Sequence, residues 1–188
     1  MRINFFSKFR KSKKTKADIN LSSIFLLAQF SPLDIADDVF PRPICMESKG
    51  VFAHRLVFLV DDSSLERLWV LIKQNGFDCA NDTTDGVVTN SESSFSLFIK
   101  KEKDFGGTLI RMVTNHNVLI EAILALRLSP PRPEISFPEL EPDSIGSLQG
   151  SLEYWWYELW KPYWCSLSPV EQEQQKLLAE WCEFIAWH

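Results

Sequence analysis

Three histidines, His54, His116 and His188, and four cysteines, Cys45, Cys79, Cys165 and Cys182, are the side chains here with the chemistry of a nucleophile, a general base or a zinc ligand. Cys79 with His54 or His116 would make a thiol–imidazole pair, the ring taking the proton and the sulfur attacking. Nothing in the spacing brings them together. His54 therefore reads as a hydrogen-bonded, semi-buried ring within a strand, and His116 as a residue at a helix start. The cysteines form no C-x-x-C pair and no metal-ligand spacing, so they read as reduced thiols in a cytoplasmic protein. Asp61–Asp62 follows an apolar run and has the carboxylates to hold Mg²⁺; acids also suit a helix N-terminus, and that is the reading taken. Asp37–Asp38 reads as a solvated pair. Gly106–Gly107 reads as a hairpin tip rather than a phosphate loop. Glycine-rich nucleotide loops, the G-x-S-x-G elbow and H-E-x-x-H are absent. No catalytic residue, metal or cofactor is assigned, and the chain is expected not to be an enzyme.

The more informative residues are aromatic. Residues 153–164 read EYWWYELWKPYW, in a chain with 7 Trp. At about 100° per residue on a helix, Leu152, Trp156 and Leu159 make one stripe, flanked by Trp155 and Trp160, and should be core. Glu153, Tyr154, Tyr157, Glu158 and Lys161 fall on the opposite side. Tyrosines among carboxylates on an exposed face suit a partner surface: rings anchor, and rim acids steer a cation. The competing expectation is that the Pro-rich stretch 129–150 folds back and buries these rings. Trp187 falls off the apolar stripe of the last helix. With Glu139, Glu141 and Asp143 upstream, the partner-binding set is Glu139, Glu141, Asp143, Glu153, Tyr154, Tyr157, Glu158 and Trp187.

Charge supports that surface. Residues 1–16 hold seven bases and no acid, while the remainder holds 13 bases against 25 acids. Residues 134–188 hold ten acids and only Lys161 and Lys176 as bases. An acidic body repels phosphates, so nucleic acid is not expected as a partner; a basic protein is. Residues 1–18 read as a flexible basic tail. Its Phe5, Phe6 and Phe9 among lysines also suit weak contact with an anionic membrane. A secretory signal fits poorly, because no small-residue cleavage site follows.

The elements that must position these residues follow from pattern. Residues 19–188 read as a single α+β domain with a core at 51–128, a Pro-rich arm at 129–150 and a helical hairpin at 151–188. A short helix is expected at 19–30, a buried central strand at 51–60, and a helix at 64–75 opened by Ser63 and Glu66 as a capping box. That helix stops at Asn75–Gly76. A short strand is expected at 87–89. Strands at 94–100 and 108–114 read as a hairpin with a mobile loop, KEKDFGG. A buried helix follows at 118–128, capped by Asn115 or Asn117. Residues 51–128 thus make a β-α-β-β-α core, ferredoxin-like if Ile135–Phe137 supplies an edge strand. Residues 129–150 hold five of the ten prolines and read as an arm lying over the surface. Residues 151–188 read as a Trp-rich helical hairpin. Its first helix ends or kinks at Pro162; its second spans 169–187 behind the capping box Ser168–Glu171. The expected fold is a small antiparallel or mixed sheet covered by helices.

The α+β domain, the acidic body, EYWWYELW, EWCEFIAW and the missing enzyme motifs together resemble the small immunity proteins that bacteria carry beside secreted or contact-delivered toxins. The resemblance implies a non-catalytic inhibitor that occludes the active site of a cognate toxin. A nuclease is the natural toxin, because a protein that grips phosphates is basic where it grips. The alternative class is a peripheral membrane or assembly adaptor anchored by the polybasic residues 1–16.

Overall fold

A computed structural model describes residues 20–36, 38–78, 85–90 and 94–188. The expectations for residues 1–18, for Asp37 and for Cys79 lie outside the described residues.

Five strands form one antiparallel sheet: β1 (Ile44–Cys45), β2 (His54–Val60), β3 (Asp85–Thr89), β4 (Ser96–Asp104) and β5 (Gly107–Thr114). Their order is β1-β2-β5-β4-β3. β5, not the 51–60 run, is therefore the middle strand, with His54 opposite Thr114 and Val60 opposite Thr108 in the register of β2. Residues 133–136 add no strand; they coil into the single turn α3 (Pro133–Ser136), and the ferredoxin-like order is not formed. Flanking prolines lack the N–H a ladder needs, which favours the coil.

Strand alternation sorts the core into two faces. On one face Leu56, Phe58, Val60, Leu97, Ile99, Ile110 and Met112 meet helices α1 (Asp62–Gln74) and α2 (Asn117–Ala125). On the other, Leu59 and Leu109 meet the tryptophans, and Val113 meets Phe25, Val51 and Ala53. Between these clusters Arg111 pairs with Glu102 at 3.0 Å.

The caps differ from expectation. Asp61, not Ser63, caps α1, accepting from the Ser64 N–H at 2.7 Å. A carboxylate one residue ahead of the first turn is the stronger acceptor at the positive end of the helix. Gly76, at φ 81°, ends the helix region as expected. His116 holds the N-cap position of α2 without a side-chain bond. Asn115 is occupied elsewhere, accepting from the Ser96 N–H. Residues 21–29 form two 3₁₀ turns rather than an α-helix, Leu21–Ser23 and Leu27–Gln29.

The hairpin is longer and tighter than its sequence suggests. β4 pairs with β5 out to Asp104 opposite Gly107, leaving Phe105 and Gly106 as the whole turn. Both have positive φ, 48° and 69°, as a type I′ turn requires. A Cβ on Gly106 would stand 2.6 Å from the Ile135 carbonyl oxygen, so the arm clamps the tip.

The last third is helical but not smoothly so. α4 (Gly150–Tyr154) runs into a π-helical segment, Trp155–Trp160, and on into α5 (Lys161–Ser166). Pro162 sits in the first turn of α5, and the helix passes through it. A proline has no N–H and its ring clashes with the carbonyl four residues back; the wider turn before it relieves both demands. The Lys161 N–H accordingly reaches Trp156 O, five residues back. The single helix expected over 169–187 is two, α6 (Pro169–Gln174) and α7 (Ala179–Trp187), parted at Lys176 with φ 50°. The Ser168–Glu171 capping box forms as expected.

Candidate functional site: an acid-walled groove

The Pro-rich arm is held down by its apolar residues. Phe137 meets Trp155 edge-on at 5.2 Å between ring centroids, and Leu140, Ile145 and Leu148 pack on the same cluster. Beneath lies an indole ladder. Trp155 stacks on Trp160 at 5.6 Å, Trp156 on Trp160 at 5.7 Å, and Trp160 on Trp164 at 5.2 Å. Trp181 and Phe184 of α7 close it from the other side, edge-on to Trp155 and Trp156. Trp155, Trp156, Leu159 and Trp160 are buried, as the stripe predicts. The arm does fold back over part of the ladder. The indole N–H groups of Trp155 and Trp156 have no acceptor.

With its apolar side chains turned in, the arm turns its acids out. Where it meets the start of α7 there is an open groove of about 400 Å³. Phe137, Leu140, Leu178 and Trp181 give it an apolar floor; Glu134, Glu141, Asp143 and Glu180 are its ionisable lining, and among the described residues no base lines it. Glu134 has one carboxylate oxygen buried without a partner, its other 3.8 Å from Arg132. Among the described residues no three His, Cys, Asp or Glu side chains converge as a metal site would require. The four carboxylates thus lie spread around the groove, a layout that suits separate cationic side chains.

The predicted residues divide among several places. Glu141 and Asp143 line the groove, and Glu139 is exposed on the same arm. Glu153 is exposed on α4, while Tyr154 is half-buried, its ring 6.3 Å from Phe105. Tyr154 is thereby drawn off the open face by the hairpin tip. Tyr157, 50% exposed, and Glu158 line a different groove, with Lys161, Arg42 and Arg55. The Lys161 ammonium lies 5.6 Å from the Tyr157 ring and donates to the His188 main-chain oxygen. Trp187 is 85% exposed. Sequence reasoning missed Glu134, Leu178 and Glu180. Glu180 is in the first turn of α7, a place that exists only because the helix breaks near Lys176.

Comparison of the chain with protein-family models, with curated proteins and with solved structures gives no match. The site's chemistry must therefore be read from its own residues. His54 is buried, its Nδ1 without a partner among the described residues, and packs on Phe30. His116 packs between Phe77 and Phe95. Burial pushes both rings below their ordinary pKa, so both are neutral. A depression of about 550 Å³ is lined by Tyr163, Arg127 and Glu171. Burial, with the charges of Asp61 and Glu171, pushes the Tyr163 phenol up to about 12, so it stays protonated. Cys45, Cys165 and Cys182 are free and exposed. Asp61 caps its helix and Asp62 pairs with Lys103 at 2.7 Å, which accounts for that acidic pair. Among the described residues no helix is long and apolar enough to cross a membrane.

Proposed function

We propose that the chain is a non-catalytic binding protein, an immunity-type inhibitor working in the cytoplasm against a basic protein toxin, with a nuclease as the natural target. The observation that carries this reading is the groove between the arm and α7: four carboxylates, no base among the described residues, and an aromatic and aliphatic floor. A lysine or arginine entering it lays its aliphatic stem on Leu140 and Leu178 while its charge meets Glu141, Asp143 or Glu180. Desolvation strengthens such pairs, and the acids beyond the rim raise the encounter rate. A partner held there by its basic residues has those residues covered, and covering the cations that grip phosphate is enough to inhibit a nuclease. Exposed Tyr157 and Trp187 extend the contact area if the partner is large.

The test is co-expression of the chain with the products of the genes that neighbour its own, a basic, growth-inhibiting protein being the one expected among them. The expected outcome is restored growth, with protection lost when Glu141→Lys and Asp143→Lys are combined and the melting temperature is kept. Both groups are exposed, so stability is expected to move little. Full protection by the charge-reversed protein, or no protection by the native one, rejects the reading.

A further inference from the structure

We propose that the corner of the molecule carrying Leu26, Leu27 and Val118 docks on an anionic lipid bilayer. This inference rests on observations separate from the acidic groove.

Residues 20–33, NLSSIFLLAQFSPL, contain no ionisable side chain. The segment wraps around the end of the sheet where β5 stops. Phe25 is buried against Val51, Ala53 and Val113 on one face, and Leu33 and Ile35 pack on the α1/α2 core on the other. Midway, Asn115 Nδ2 donates to Gln29 Oε1 at 3.3 Å and Asn117 Nδ2 to the Ser31 carbonyl at 3.1 Å. With both ends fixed, the crest between them points outward. Leu26 is 53% exposed and Leu27 61%. Val118, in the first turn of α2, is 61% exposed and lines a shallow depression with Ala28, Phe30 and Phe95. Among the described residues lining that depression, His116, its pKa lowered by burial, is the one titratable side chain. Among the described residues the corner thus holds no Asp, Glu, Lys or Arg, and it exposes three aliphatic side chains beside amides and hydroxyls, in a molecule whose composition elsewhere is acidic.

The charge of the chain selects the occupant. The seven bases of residues 1–16 precede this corner in the sequence, the last of them, Lys16, ten residues ahead of Leu26. Everything after residue 16 carries 25 acids against 13 bases. An anionic bilayer attracts lysines at its surface and repels the acidic body, so the molecule meets it corner first. Leucines that enter the acyl boundary add the hydrophobic share that a polybasic segment alone lacks. A second copy is the poorer occupant, because each copy carries the same seven cations in the sequence leading into this corner, and like charges repel. The acidic groove lies toward the opposite end of β5, near the hairpin tip, and stays open to solvent when the corner is docked.

Flotation of the full chain with phosphatidylcholine vesicles, with and without about a third phosphatidylglycerol, tests this. The expected result is binding to the anionic vesicles alone, weakened by salt, with Leu26→Asp plus Leu27→Asp reducing the bound fraction about tenfold or more. Val118→Asp should reduce it less, and the melting temperature should hold in both variants because the replaced side chains are exposed. Three results overturn the proposal: no binding to anionic vesicles, unchanged binding by the leucine variant, or a native dimer that the leucine variant dissociates. The last would make the corner a protein interface. Loss of vesicle binding leaves the co-expression test of the groove untouched, so the two proposals fail separately.

Discussion

The two faces of the sheet are built by different means. Against one, α1 and α2 lay aliphatic side chains in regular helical stripes, with Leu68, Ile72, Leu119, Ile120 and Ile123 meeting the odd–even pattern of β2, β4 and β5. Against the other, nothing is regular. A π-helical turn, a proline-rich arm and a broken return helix gather indoles and phenyl rings into a stack. The first face exposes little chemistry, although it too holds buried polar atoms without a partner among the described residues, Thr108 Oγ1 and His116 Nδ1. The second leaves two indole N–H groups unpaired, and the acidic groove opens beside it. Regular packing makes a stable support; irregular packing makes the shape that a partner can recognise.

Large-to-small substitutions are the strongest way to break this comparison. Trp155→Ala or Trp156→Ala is expected to cost about 3–5 kcal/mol, and Leu56→Ala on the opposite face about 2–5 kcal/mol. Denaturant unfolding followed by far-ultraviolet circular dichroism and by tryptophan emission checks this. If the sheet joins both faces in one cooperative unit, the two signals coincide for every variant. Separate transitions would show two folding units sharing a sheet. Trp156→Phe should cost much less than Trp156→Ala, because it keeps a ring in the stack and removes a donor that has no acceptor.

The same contrast decides what could be read from sequence. The α1/α2 face was legible because local period and burial agree there: Leu68 and Ile72 sit four apart on one helix and face the strands. The capping box at Ser168–Glu171 was legible for the same reason, being a purely local arrangement. The hairpin was undersized because Lys101–Asp104 are polar; they stay in the strand through pairing with β5, which no local pattern records. The arm has no period, since Phe137, Leu140, Ile145 and Leu148 are spaced to suit the rings beneath. The break near Lys176 is masked by Leu177 and Leu178, which continue an apolar stripe across it. Half of the acidic groove depends on that break, so Glu180 and Leu178 could not be found while Glu141 and Asp143 could.

Cap removal sharpens the comparison at lower amplitude. Asp61→Ala is expected to cost about 1–2 kcal/mol and Ser168→Ala about 1 kcal/mol, read as shifts in the urea midpoint at unchanged slope. Asp61 is the larger because its carboxylate also receives the hydroxyls of Ser63 and Ser129, tying the arm's first residue to α1. Equal costs would mean that this link contributes nothing.

The smallest effect is on pH dependence. His54 and His116 are kept neutral by burial, below the ordinary 6.5. The unfolded chain therefore binds their protons first. Stability is full above about 6.5 and declines as pH falls from there toward the lowered folded values. His116→Gln, on the helical face, should flatten that decline, and His54→Gln should do so independently. An unchanged slope in both variants would assign the decline to other groups.

Four indoles stacked at 5.2–5.7 Å are close enough to share an electronic excitation. Light absorbed by any of Trp155, Trp156, Trp160 and Trp164 is expected to be shared among them, with the emission weighted to the buried rings Trp155, Trp156 and Trp160. Trp187, in water at the far end of α7, emits on its own and at longer wavelength. The chain thus carries an internal and an external optical reporter without labelling: loosening of the ladder changes the first, and a body that covers the end of α7 changes the second.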